Sequence, residues 1–295
     1  MCGLILGFLS CIAQAQELSP RAYWPTPVGT KILSLAYVHT GGDVVIDPSL
    51  PVSGVDSDID TLVLGYRHTT DWFGRTTNVI VEVPTIDGES SGRVPEGGLV
   101  TRELKGLGDI ATTVSVNLMG APAMDPQAFQ ALRQNPRPIL GASVRLVAPT
   151  GRYDEDRLVN VGSNRWAGKL EMGYMYPFNK KWLLEAEAGV WLFGDNKDFA
   201  LGRREQKPIW AAELHLVHRF KPGFWGSVNF NYYRGGQTIV DGDTKNDLQR
   251  SSTAGITFVF PFAERQSIKV SYGGGSVTVT DNRYYNFLLS YQYRL

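Results

Sequence analysis

The residues with chemistry to offer are spaced two apart: Lys169 and Glu171, Glu185 and Glu187, Glu213 and His215, Asn229 and Asn231, with Arg145 before them and Arg219 among them. That spacing puts both members of each pair on one face of an extended strand. Mixed charges on one face support two kinds of chemistry. Paired across neighbouring strands, Glu with Lys or Arg cross-links a wall and fills the space inside it. Lining a path, the same groups bias which solute passes. A narrow enclosure has little spare cross-section, so a structural network is the first expectation, and a permeation set of Arg145, Lys169, Glu171, Glu185, Glu187, Glu213, His215, Arg219, Asn229 and Asn231 is the second. Glu82 and Lys269 extend the same inward set.

Other chemistry finds little support. The four histidines, His39, His68, His215 and His218, show no H-E-x-x-H or Cys/His metal spacing, and no G-x-S-x-G elbow or P-loop is present. No metal or other cofactor is expected. Asp241 to Asp247 resembles the opening of a calcium loop, but Lys245 occupies a ligand position and Ser252 stands where the closing Glu belongs. An acidic external turn is the expectation there, and a solvated loop for Asp154, Glu155 and Asp156 between Arg152 and Arg157. A lipid hydrolase, with His218 and Ser252 at the membrane surface, is the weakest alternative.

The elements that must position these residues are strands. From Tyr285 to Leu295 the chain alternates Tyr285, Phe287, Leu289, Tyr291, Tyr293 and Leu295 with Asn286, Leu288, Ser290, Gln292 and Arg294. The apolar face is too aromatic for water, and the pattern recurs. In Lys181 to Phe193 the face of Trp182, Leu184, Ala186, Ala188, Val190 and Leu192 must meet lipid, because Glu185 and Glu187 lie opposite. Strands are expected at Thr30 to Thr40, Asp58 to Thr69, Arg75 to Pro84, Leu107 to Met119, Ile139 to Ala148 and Asn164 to Tyr176. Six more fall at Lys181 to Phe193, Pro208 to Phe220, Phe224 to Arg234, Arg250 to Pro261, Gln266 to Gly273 and Tyr284 to Leu295.

About twelve strands is an even number, as a closed antiparallel transmembrane β-barrel requires. Connections alternate long and short, as extracellular loops and periplasmic turns do; the long set includes Gly41 to Ser57, Thr85 to Gly106 and Gly274 to Arg283. Gly120 to Pro138 breaks the rule among the short ones. There Asp125 can cap a helix with Pro126 at its first position, Phe129 and Leu132 sharing a face. Trp72, Trp166, Tyr176, Trp182, Trp210, Trp225, Tyr232 and Tyr293 are expected in interfacial belts.

Composition agrees with an all-β membrane protein and little else. Lys plus Arg equals Asp plus Glu at 29 each, which leaves no electrostatic footprint for nucleic acid. A mean hydropathy of -0.16 and no run of about 18 apolar residues exclude a helical membrane protein. Gly3 to Ile12 followed by Ala13-Gln14-Ala15 reads as a signal peptide over residues 1–15, although no Lys or Arg precedes it. Cys2 and Cys11 would leave with it; Phe8 is a poor first residue for a lipoprotein site. Residues 16–29, with Pro20, Pro25 and Pro27, cannot form a central strand and are expected as a periplasmic or plug segment, ahead of a barrel over 30–295.

A resemblance covers the chain from about Arg21 to Leu295. Its blocks are Asn160-Val161-Gly162-Ser163-Asn164-Arg165-Trp166, Glu171-Met172-Gly173-Tyr174, Gly189-Val190-Trp191-Leu192-Phe193 and Asp195-Asn196-Lys197-Asp198-Phe199. Gln206-Lys207-Pro208, Tyr232-Tyr233-Arg234-Gly235-Gly236, Tyr291-Gln292-Tyr293-Arg294, Pro149-Thr150-Gly151 and Gly106-Leu107-Gly108-Asp109 complete it. Together these resemble the family described as the putative MetA-pathway of phenol degradation. The resemblance implies an outer-membrane transporter-like barrel linked with uptake of aromatic or other hydrophobic compounds, with no catalytic residues to carry over. Leu295 stands where such barrels usually end in Phe or Trp.

The functional expectation is a channel or transporter for small hydrophobic molecules, aromatic ones among them, in the bacterial outer membrane. Solute would meet Trp191, Phe193 and Phe199 at the mouth and then pass Glu213, His215, Asn229 and Asn231. Its partners would be outer-membrane lipid and lipopolysaccharide, the small hydrophobic solute and the barrel assembly machinery. A structural or surface-interaction barrel with a closed lumen is the alternative.

Overall fold

Alternating apolar and polar side chains build the wall of this protein, whose computed structural model describes residues 20–43, 53–93, 98–157, 160–199, 202–277 and 282–295. The expected signal segment and both cysteines lie outside the described residues. In chain order the elements are β1 (Lys31–Gly42), β2 (Ser53–Trp72), β3 (Arg75–Arg93), β4 (Leu99–Leu107), β5 (Ala111–Met119), α1 (Pro126–Gln134), β6 (Ile139–Val147), β7 (Ala167–Pro177), β8 (Trp182–Phe193) and β9 (Arg204–Gln206). Then come β10 (Ile209–Lys221), β11 (Phe224–Gly235), β12 (Thr238–Val240), β13 (Asp243–Thr244), β14 (Gln249–Ala263), β15 (Gln266–Val277) and β16 (Asn282–Arg294).

Twelve strands close an antiparallel barrel, in the order β2, β1, β16, β15, β14, β11, β10, β8, β7, β6, β5, β3, with β2 pairing back to β3. The seam joins the first strand to the last, from Ile32 opposite Arg294 to Gly42 opposite Tyr284. Closure removes the raw edge that a terminal strand would expose. All twelve expected strands are present.

The wall shows the period of two directly. Along β10, Trp210, Ala212, Leu214 and Leu216 are exposed while Ile209, Ala211, Glu213, His215 and Val217 are buried. Since the outward residues are Leu, Val, Trp and Phe, that exposure is a lipid-facing surface. At the short-turn end Phe220, Phe224 and Phe260 stack at 4.5 and 5.0 Å, and Trp182 meets His218 at 4.3 Å. Trp166, Trp210 and Tyr232 form the opposite belt. Trp225 is a correction: it faces inward, because it shares parity with Ser227 and Asn229.

Two further expectations are corrected where strands leave the bilayer. Thr85 to Gly106 is mostly strand, since β3 runs on to Arg93 and β4 folds back on it from Leu107 opposite Thr85 to Leu99 opposite Arg93. The extension carries polar residues on both faces, such as Lys105 bonded to Asp87 at 2.5 Å, so it lacks the dyad signal of a lipid-facing strand. Likewise β15 and β16 extend to Val277 and from Asn282, shortening the loop expected from Gly274 to Arg283.

The connection between β5 and β6 holds α1, capped as its sequence requires: Ala128 N donates to Asp125 Oδ1 at 2.8 Å. Leu132 is buried and Phe129 packs beside it under the short-turn mouth.

Candidate functional site

The bore is filled from the N-terminal side by residues 20–30, which cross it. Tyr23 and Trp24 join Ala121, Met124, Leu132, Ile139, Met175, Leu183 and Val217 in one apolar cluster at the short-turn end. The fastening reaches several walls. Tyr23 Oη donates to Glu171 Oε1 at 3.0 Å on β7 and accepts from Ser143 Oγ at 3.2 Å on β6. Arg21 N donates to Glu185 Oε2 at 2.5 Å on β8, and the Arg21 guanidinium lies 4.7 Å from the ring of Trp24 and 4.8 Å from that of Trp225 on β11. Thr26 and Thr69 share a hydrogen bond of 2.6 Å on the β2 side, and Val28 N donates to Met124 O at 2.9 Å.

The Tyr23 ring has a seat cut for it. Gly141 and Gly173 face each other across β6 and β7. A Cβ at Gly141 would stand 2.1 Å from Tyr23 Cδ1, and one at Gly173 would stand 2.2 Å from Tyr23 Cε2. Two glycines in adjacent strands are unfavourable for strand formation, and close approach of another group is the usual reason for them.

Beyond the plug lies the charged tier, and nine of the ten expected residues, all but Arg219, sit on its inner face. Lys169 bonds Glu213 Oε1 at 2.6 Å and also pairs with Glu171. Arg145 donates to Glu82 Oε2 at 2.6 Å and Thr113 Oγ1 at 3.1 Å. Glu213 lies opposite Glu187, and His215 opposite Glu185. His215 Nδ1 and Asn229 Oδ1 are 3.0 Å apart, and Asn229 Nδ2 donates to Thr257 Oγ1 at 3.1 Å. Asn231 Nδ2 donates to Tyr233 Oη at 3.3 Å. Arg219 sits lower, donating to Lys180 O at 3.0 Å and Arg133 O at 2.7 Å with its guanidinium 4.9 Å from the Trp24 ring.

A second apolar tier closes over this network: Ala111, Val147, Ala167, Trp191, Ile209, Ala211 and Tyr233. Between the tiers is a chamber of about 410 Å3, bordered by Arg145, Lys169, Glu171, Glu187 and Glu213 of that set, by the plug, and by Ile32, Ile80, Trp191, Trp225, Tyr233 and Val259. Trp191 and Phe199, expected to meet solute at the mouth, are both buried, Trp191 inside the barrel at β8 and Phe199 against Arg204 at 5.4 Å.

Loops are knitted together above that tier. Asp109 accepts from Gly151 N and Ser163 N, each at 2.8 Å, and from Ser163 Oγ at 2.5 Å. Tyr153 Oη donates to Asp198 O and accepts from Asn196 Nδ2, both at 2.9 Å, and burial raises its pKa above the ordinary tyrosine value. The turn at Asp241 to Asp247, expected as an acidic external one, is exposed over Asp241 to Thr244 and pinned at its end, where Asp247 accepts from Thr238 N at 2.9 Å and Thr238 Oγ1 at 2.6 Å.

The hydrolase pairing is not assembled. His218 lies opposite Gly226 near the short-turn end, whereas Ser252 is six residues along β14 from Phe258, the partner of Gly226, or roughly 20 Å at strand rise. Among the described residues, two groups of His and carboxylate ligand atoms do fall within 4.8 Å of one another: His39, Asp58 and Asp60, and Glu187, Glu213 and His215. Sequence spacing misses both, because each is assembled by register between neighbouring strands.

A closed ring of dyad-patterned strands with aromatic belts, turns at one end and loops at the other defines a transmembrane β-barrel of the outer-membrane type. Residues 37–293 match the family described as putative MetA-pathway of phenol degradation, and the chain belongs to it. Its fold is similar to that of an outer membrane channel from Pseudomonas putida F1, with a TM-score of 0.75 and 23% identity over 95% of this chain and 100% of that one. The translocator domain of the autotransporter NalP from Neisseria meningitidis is more distant, with a TM-score of 0.50 and 10% identity over 92% of this chain and 90% of that one. No curated protein matches the chain.

Proposed function

We propose that this barrel is an outer-membrane channel that admits small, mostly apolar molecules, aromatic ones among them. The observation that carries the reading is the chamber of about 410 Å3, in which ring and aliphatic walls stand beside a larger set of charged and hydroxyl-bearing side chains. The apolar walls can take a small ring, and the polar groups beside them can orient its oxygen. Trp191 borders the chamber with an indole N–H that has no acceptor, a donor suited to the oxygen of a phenol-like solute. The ten charged and amide residues named above are the proposed lining, with passage requiring the plug to leave its seat. Export by a signal peptide, insertion by the barrel assembly machinery and contact with lipopolysaccharide belong to the same proposal.

The fit of Tyr23 between Gly141 and Gly173 favours a second reading, a barrel kept shut as a structural or surface-interaction element. Flux separates the two. Liposome swelling with neutral monoaromatic solutes should show entry through the wild type and faster entry through Tyr23→Ala. Zero flux in both, with insertion verified, would remove the channel and leave the closed barrel.

A further inference from the structure

We propose that Glu187, Glu213 and His215 form a binding site for a divalent transition metal of the zinc type on the inner wall, independent of what the barrel conducts. Glu187 and Glu213 are direct cross-strand neighbours of β8 and β10, and His215 follows Glu213 by two residues on the same face. Their ligand atoms lie within 4.8 Å of one another. A tetrahedral site with metal–ligand bonds of about 2.0 Å needs those atoms roughly 3.3 Å apart, so rotamer adjustment of about 1.5 Å completes it.

Two independent features point to a cation. The first is the orientation of His215, which is fully buried. The Asn229 amide nitrogen is engaged by Thr257, which leaves its oxygen to accept from His215 Nδ1–H. The Nε2 lone pair then faces the carboxylates with no hydrogen-bond partner, 3.9 Å from Glu213 Oε2. Acceptor facing acceptor is unfavourable until a positive charge lies between them. A ligating histidine with its other ring nitrogen donating to a fixed oxygen is the usual outer-shell arrangement of metal sites.

The second feature is charge. Lys169 pairs with Glu213 and Glu171, and no ion pair reaches Glu187 among the described residues, although its side chain is buried. One imidazole nitrogen with two carboxylates suits Zn2+ and its neighbours, with an open position for water. The chamber borders both Glu187 and Glu213 and supplies the way in. An ion bound there takes Glu213 from Lys169, so the lysine competes with it.

The test uses the folded full chain in detergent, stripped with chelator, in a His39→Ala background that removes the other ligand group. Calorimetric titration with Zn2+ should show one bound ion. His215→Ala and Glu187→Gln should each weaken binding at least 100-fold, Asn229→Ala about 10- to 100-fold, and Lys169→Met should strengthen it. Electron paramagnetic resonance of the Cu2+ form should show coupling to a single nitrogen that disappears in His215→Gln; this readout stands even if the Glu187 variant fails to fold. Absence of a stoichiometric site, binding untouched by His215→Ala and Glu187→Gln, or loss of affinity in Lys169→Met would overturn the assignment.

Discussion

Tyr23 can be evicted from either side of its seat, and the two routes should agree. Truncating a buried aromatic to Ala costs about 3–5 kcal/mol, which includes the hydrogen bonds to Ser143 and Glu171 only in part. At about 1.4 kcal/mol per tenfold, Tyr23→Ala should raise the ratio of unseated to seated plug by roughly a hundredfold to a few thousandfold. Tyr23→Phe keeps the ring and loses only the hydroxyl bonds, about 1–1.5 kcal/mol, or roughly tenfold. From the wall side, Gly173→Ala puts a methyl 2.2 Å from Tyr23 Cε2 and 3.0 Å from Glu187 Cγ. Because β7 is bonded to both β6 and β8, the wall cannot retreat and the ring must, at about 1–3 kcal/mol. The assay is the labelling rate of Ala22→Cys by a membrane-impermeant maleimide, in a chain with Cys2 and Cys11 replaced by Ser. Rates should rank Tyr23→Ala fastest, then Gly173→Ala and Tyr23→Phe, then the parent. Rates within twofold of the parent for Tyr23→Ala and Gly173→Ala alike would refute the idea that this ring holds the plug.

Other parts of the molecule make equally definite claims. Asp109→Ala orphans Gly151 N and Ser163 N at once and should cost about 2–4 kcal/mol locally, seen as loss of hydrogen-exchange protection across 149–166 while the strands stay protected. Leu214→Arg places a charge on the lipid face near the middle of β10 and should destabilise the barrel by about 2–4 kcal/mol in vesicle denaturation; a change below about 0.5 would place that face away from hydrocarbon. Asp125→Ala removes the α1 cap and should lower stability by about 1 kcal/mol, read from the denaturation midpoint.

The wall was legible because lipid and a wetted interior impose opposite demands on successive residues, so parity alone placed Glu185, Glu213 and Asn229 inside. The same parity, applied to Trp225, would have moved it from the belt to the bore. Helix α1 was legible through Asp125 and Pro126, whose side chain and fixed φ serve a helix start. Boundaries failed where β2, β3 and β4 rise beyond the bilayer and both faces meet water. The candidate site was legible as a list of inward residues and illegible as an arrangement. Which inward residues meet depends on register, which brings Glu187 to Glu213 and Gly141 to Gly173, and a single strand carries no record of its neighbour's offset. Trp191 was misjudged for a related reason, since its burial comes from partners on other strands in the second apolar tier.

The segment that crosses the bore runs straight into β1, and the two are held by bonds of different kinds. Scattered bonds, most of them through side chains, fasten the segment, while a continuous main-chain ladder fastens β1 to β16 and to β2. Tension applied ahead of Pro20 therefore loads the weaker link first. A pull from that end should draw out the stopper and leave the ring sealed.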